Sequence, residues 1–275
     1  MTDLLAQPDP VRRLVAAYAA LPEVRAIGLA GSSANGAADA DSDIDVYIFQ
    51  SAVIIADVRQ RIARTMGAPA HDLQWIGLDP GADEFHDGPT GVPMDLLLWD
   101  LGWLSDRVAA NTERHQAELG YSTALWHTAA RMQVLHDPSG DLAALIARAS
   151  VPYPDALRRE VITRNTDVLR RTQASYRRQL EKAIARDDLV SINHRVAAFI
   201  ASAMDVVFAA NRALHPGEKR LLALIERDRL RTPEGYRAKV EAFVRAASDA
   251  HPELPARADD LGEAVERFAA AELER

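Results

Sequence analysis

The run GLAGSSANGAADADSDIDVYIF, from Gly28 to Phe49, sets a flexible Gly-Ser turn ahead of an aspartate cluster. It then carries Asp43 and Asp45 into a segment that otherwise reads as a buried strand. Aspartate is depleted in strand interiors, and side chains alternate between faces, so Asp43 and Asp45 project to one side while Ile44, Val46 and Ile48 project to the other. Two like charges held that close repel unless a cation neutralises them. A hard divalent ion suits the pair, because Mg²⁺ takes carboxylate oxygens together with substrate phosphates and keeps some water. The plainer alternative is a solvated sheet edge behind an acidic loop. An EF-hand is a further reading for Asp39, Asp41 and Asp43. It fails at the sixth position, Ile44 where glycine is needed, and at the twelfth, Gln50 where a bidentate glutamate is needed.

Two further pieces lie on either side. Upstream, Gly31-Ser32 closes a predicted strand, with Ser33 next and Gly36 nearby. Glycines let backbone amides approach an anion and serine hydroxyls add donors, so this turn can hold the phosphates of a nucleotide whose metal sits on the next strand. Downstream, VPMDLLLW places Asp95 among apolar neighbours in another predicted strand. A carboxylate there can complete a metal shell or take the proton from an attacking hydroxyl.

The rest of the chain reads as α+β followed by all-α. Asp9 and Pro10 suit an N-cap and first helical position for Val11 to Ala20, and VRAIGLA reads as a short buried strand. IIADVRQRIARTM has amphipathic helical spacing. HDLQWIGL and VPMDLLLW read as strands separated by the turn-rich DPGADEFHDGPTG. Residues 103–150 look mainly helical, with QVLHDP as a short strand. Two prolines in VPYPD, Val151 to Asp155, mark a composition change, after which only helical periodicity is found. The expected domains are residues 1–150, a mixed sheet with flanking helices, and residues 151–275, a helical bundle.

Composition narrows the function classes. The net charge of −8 is concentrated in front: residues 1–150 hold 10 of the 32 Lys and Arg but 20 of the 40 Asp and Glu. An acidic surface repels a phosphate backbone, so a long nucleic-acid partner is disfavoured and a small, even cationic, substrate is favoured. The absence of cysteine excludes disulfides, thiolate metal sites and cysteine nucleophiles. Apolar runs such as Val196 to Ala203 read as too short to span a bilayer, and MTDLLAQPDP has no signal-peptide pattern, so the expected setting is cytoplasmic, without a membrane. No HExxH, GxSxG or Walker-type loop occurs.

Gly31-Ser32, then Asp43-x-Asp45, then Asp95 on a later strand resembles the nucleotidyltransferase domain of the DNA polymerase beta superfamily, over roughly residues 20–100. The resemblance implies that Asp43, Asp45 and Asp95 bind two Mg²⁺ ions and that the Gly31, Ser32 and Ser33 turn holds the triphosphate of ATP or another NTP. A nucleotide monophosphate would then pass to a hydroxyl with loss of pyrophosphate. Asp95 would be a ligand, a general base or both; Asp39 and Asp41 have no assigned role. With a helical second half, the layout is similar to aminoglycoside and lincosamide nucleotidyltransferases, which implies a small-molecule acceptor such as an antibiotic. In that comparison the helical half supplies cations to the triphosphate, and FAANRALHPGEKRLL offers Lys219 at a helix start, with Asn211 as a weaker candidate.

The arginine-rich stretch from Arg158 to Arg186 invites a nucleic-acid reading, but aromatic interleaving is sparse and a charged helix face is commonly just solvated. A rival reading is regulatory: an antitoxin-like module, or one that modifies a protein partner by AMPylation. Arg245 and His251 match the Arg-x(4–6)-His spacing of the ribonucleases that pair with such antitoxins, and a chance match is preferred.

Overall fold

Strand Pro93–Trp99 alternates buried and part-exposed residues along its whole length, the signature of a strand with one face in a core and the other turned to a different environment. It is β5 of six among the described residues. The computed structural model describes residues 4–31, 43–68, 74–76, 81–247 and 252–275. In chain order the sheet-bearing part comprises α1 (Asp9–Ala19), β1 (Val24–Ala30), β2 (Ile44–Gln50), α2 (Ala56–Thr65), β3 (Gln74–Ile76), β4 (Ala82–His86), β5, α3 (Leu101–Thr112), α4 (Ala124–Arg131), β6 (Gln133–His136) and α5 (Asp141–Ala149). The spatial order is β3-β4-β5-β2-β1-β6. Strands β2 and β5 run parallel; the other described pairings are antiparallel.

The core lies on one face of this sheet. Ile44, Val46 and Ile48 of β2 and Met94, Leu96 and Leu98 of β5 pack with Leu14, Val15 and Tyr18 of α1 and with Ile62 and Ala63 of α2. The two aspartates of the quoted stretch therefore belong to the face turned away from α1 and α2. Asp9 begins α1 as its first residue, with Pro8 at the cap position and no side-chain cap bond. Its carboxylate instead accepts from Arg12 and Arg13, at 2.9 and 2.8 Å.

The segment read as turns, DPGADEFHDGPTG, contains strand β4. Glycine, proline and acidic residues around it mask the pattern, and the structure supplies the missing compensation. Asp83 pairs with the buried Arg59 of α2 at 2.9 Å, and Phe85 fills the core. Asp87 closes the turn into β5 by accepting from Thr90 N and Thr90 Oγ1, at 3.1 and 2.6 Å.

The chain folds as two compact units, one formed by Met1–Val108 and Thr128–Val151 and the other by Ala109–His127 and Pro152–Arg275. The second is helical: α6 (Asp155–Arg170), α7 (Tyr176–Ala185), α8 (Leu189–Ala210), α9 (Leu221–Arg227), α10 (Tyr236–Ala247) and α11 (Leu254–Leu273). The arginine-rich stretch is divided between two helices, with a break from Arg170 to Tyr176. Helix α8 is the centre of this unit and packs against α6, α7, α10 and α11. At 22 residues it is, by length and composition, apolar enough to cross a membrane, but 67% of its apolar window is buried inside the structure, as in the core helix of a globular unit. Its capping is local, with Asp188 accepting from Ser191 N at 3.0 Å.

A buried carboxylate stands in the apolar surface of α8. Asp205 accepts from Ser122 N, from Ser122 Oγ at 2.6 Å and from Asn165 Nδ2 at 3.3 Å. Burial pushes its carboxyl up to about 6 against these donors, which favour the charged form. Nearby in the same unit His215, packed between Tyr121 and Phe208, is pushed down to about 4 by burial and then by His127. The two slopes oppose each other. Asp205 keeps a proton in the folded chain that the unfolded chain has released, so its stabilisation fades as pH rises from about 4 to 6. His215 does the reverse, and stability gained from it grows over the same window. Asp205→Asn keeps an acceptor for Ser122 and removes only the falling contribution. In urea denaturation, the unfolding free energy of the variant minus that of the wild type should rise by on the order of 3 kcal/mol between pH 4 and pH 6.

Candidate metal centre

Parallel pairing of β2 with β5 sets Asp45 directly beside Asp95. Neighbouring strands lie about 4.8 Å apart, so two carboxylates in register on one face cannot avoid each other. Asp43, two residues before Asp45, precedes the strand and returns to the same side. One oxygen from each of Asp43, Asp45 and Asp95 lies within 4.8 Å of the others, and all three residues are half-buried. Asp45 and Asp95 stand on the two central strands, not at an edge of the sheet.

Gly31 explains how the backbone approaches them. It follows β1, whose Ala30 is the register partner of Asp45, and it has φ of +72°. A Cβ built there would fall 1.7 Å from Asp45 Oδ2. Both the left-handed backbone and the close approach require glycine. The same space that excludes a methyl group brings main chain against the carboxylate cluster.

Beyond the carboxylates the same face turns aromatic. Tyr47, two residues after Asp45, meets Trp99 edge-on with ring centroids 4.8 Å apart, and Trp99 meets Trp103 at 5.1 Å. The Tyr47 phenol is held well above its usual range by burial, then by Asp45 and then by Asp95, while a hydrogen bond with Thr128 acts the other way. It is a neutral wall of the site, and Trp99 and Trp103 extend it.

Among the residues expected to act together, the structure gathers Asp43, Asp45, Asp95 and Gly31. Ser32, Ser33, Asp39 and Asp41 lie outside the described residues. Lys219 is in the second unit, in the turn before α9, which begins at Leu221 behind Arg220. Asn211 is structural. It ends α8, donates from Nδ2 to Val207 O and Arg231 O, each at 2.8 Å, and accepts from Arg231 N. The arginine-rich helices are also largely engaged within their unit. Arg158 bonds Glu272, and Arg170 and Arg177 pair with Asp259. His251, half of the ribonuclease-like spacing, lies outside the described residues. One acidic residue of this face was missed in the sequence: Glu84 of β4, the register partner of Asp95. Its strand was hidden among turn residues, and alternation from Phe85 was the available signal.

A family described as a domain of unknown function, DUF4037, matches residues 121–221, the stretch that contains Ser122, Asn165, Asp205 and His215. No curated protein matches the chain. Among solved structures it is similar to a nucleotidyltransferase-like protein from Exiguobacterium sibiricum 255-15, with 12% sequence identity and a TM-score of 0.43, over 96% of this chain and 74% of that one.

The donor set fits a hard divalent cation: three carboxylates, no sulfur or imidazole, and backbone close by. Removing one charge should therefore stabilise the metal-free protein. Asp45→Asn is expected to gain on the order of 1 kcal/mol in EDTA by relieving repulsion and to lose the rise in Tm that Mg²⁺ gives the wild type, both read by differential scanning calorimetry. Gly31→Ala should weaken Mn²⁺ binding, followed by electron paramagnetic resonance, because the added methyl displaces Asp45.

Proposed function

We propose that the protein is a Mg²⁺-dependent nucleotidyltransferase that moves a nucleotide monophosphate, AMP from ATP in the first instance, to a hydroxyl of a small-molecule acceptor, releasing pyrophosphate. The observation that carries this reading is the Asp43, Asp45 and Asp95 cluster with the glycine-bounded approach at Gly31. The motif resemblance supplies the reaction class, and the geometry supports it by bringing the motif's separated residues together. The three aspartates would hold Mg²⁺, which when bound supplies charge neutralisation for a triphosphate. Gly31 gives main chain room to approach phosphate oxygens, a role that Ser32 and Ser33 would share. Tyr47, Trp99 and Trp103 line one flank and limit the entry of water from that side.

An acidic, half-buried site favours an acceptor that tolerates or carries positive charge, and an antibiotic with amino groups is the first to try. Transfer to a protein hydroxyl is the second. The test is a mass-spectrometric screen with ATP, Mg²⁺, a panel of antibiotics and cell extracts, in which the expected product is an acceptor heavier by one AMP. Asp43→Asn and Asp45→Asn should each abolish transfer while the circular dichroism spectrum stays that of the wild type. Retained turnover in either variant would refute the assignment.

A further inference from the structure

Antiparallel pairing places Glu84 of β4 opposite Asp95 of β5, and paired residues share a face, so Glu84 stands on the triad's side of the sheet. Its neighbour Asp83 turns to the other face and is paired with Arg59. Glu84 is half-buried, and its carboxylate makes no hydrogen bond or ion pair with another described residue. The fold thus neutralises the acidic residue of β4 that faces the helices and sets the other in register with an aspartate of the cluster. A half-buried carboxylate in register with Asp95 adds to the negative charge on this face, which points to a role with the substrate and cation that would balance it.

The order across the sheet says which role. Gly31 lies at the β1 side, then come Asp45 on β2, Asp95 on β5 and Glu84 on β4. Phosphoryl transfer is roughly in line, with attacking and leaving oxygens on opposite sides of the phosphorus. If the triphosphate lies toward Gly31, as the proposed function has it, the leaving pyrophosphate is on the β1 side and the nucleophile enters from the β4 side.

We infer that Glu84 is the acceptor-side residue of this site: its carboxylate accepts a hydrogen bond from the attacking hydroxyl and orients that oxygen toward the α-phosphorus. The acceptor oxygen forms the new bond to phosphorus, and the bond from phosphorus to the α,β-bridging oxygen breaks. Pyrophosphate leaves with that electron pair, and the hydroxyl proton departs along the hydrogen bond to Glu84. Asp95, gathered with Asp43 and Asp45, is then free to serve as a ligand alone. The inference rests on the nucleotidyl transfer proposed above.

Two measurements test it. In a crystal of the full chain with Mn²⁺ and α,β-methylene-ATP, the bridging methylene should point toward Gly31 and the opposite face of the α-phosphorus toward Glu84. With ATP, Mn²⁺ and water as the acceptor, Glu84→Ala should lower kcat for AMP release about 100-fold, the scale expected when a reacting atom is misplaced. KM for ATP and Mn²⁺ affinity should stay within about twofold, and Glu84→Asp, which keeps a carboxylate able to hold the hydroxyl and take its proton, should recover about tenfold of the loss. A methylene facing Glu84, an unchanged kcat in Glu84→Ala, or a loss of Mn²⁺ affinity like that of Asp45→Asn would each overturn the inference and leave the transferase reading standing. Nucleotide bound away from the aspartates would bring down both.

Discussion

Parallel pairing of two central strands holds Asp45 and Asp95 in the same row of the sheet, and the rest of the first unit is arranged around that repulsion. The charge is tolerated because the opposite face of the same strands is wholly apolar. Val46, Ile48, Leu96 and Leu98 bury their side chains against α1 and α2 and keep the register from slipping. A shift of one residue would turn the aspartates into the core and the aliphatic side chains out of it. Hydrophobic alternation therefore fixes where the acidic groups stand, and the site inherits its geometry from packing it never touches.

Much of this was legible in the sequence because it is written in short-range signals. The short apolar runs VPMDLLLW and VRAIGLA give the strands β5 and β1, and an aspartate inside such a run stands out as an exception. The pairing itself was not legible. Nothing in the chain order says that β2 lies between β1 and β5, and only that adjacency makes Asp95 a neighbour of Asp45. Strand β4 was obscured for a different reason. ADEFH has two acidic residues and turn formers on both sides, and its stability comes from tertiary partners, Arg59 for Asp83 and the core for Phe85, which local propensity cannot register. The residue hidden with it, Glu84, is the one that extends the site.

The second unit shows a related contrast. Its helices were evident from periodicity, but not where they break or which polar residues are structural. Asn211 reads as a candidate ligand and proves to be a helix-ending residue bonded to Arg231. Arg158 reads as part of a cationic face and is buried against Glu272. Asp205, unremarked in the sequence, is the buried acceptor that ties Ser122 and Asn165 to α8. Buried polar groups must find partners, and those partners come from distant positions in the chain.

Helix α8 has a consequence for biosynthesis. Its apolar surface is covered in part by α10 and α11, which leave the ribosome after it does. Until Leu254–Leu273 has been translated, a nascent chain leaves part of that apolar surface uncovered, the kind of transient exposure that promotes aggregation. Stalled or prematurely terminated products of this gene would be substrates for cellular quality control even though the front unit, with its acidic cluster, had already been made.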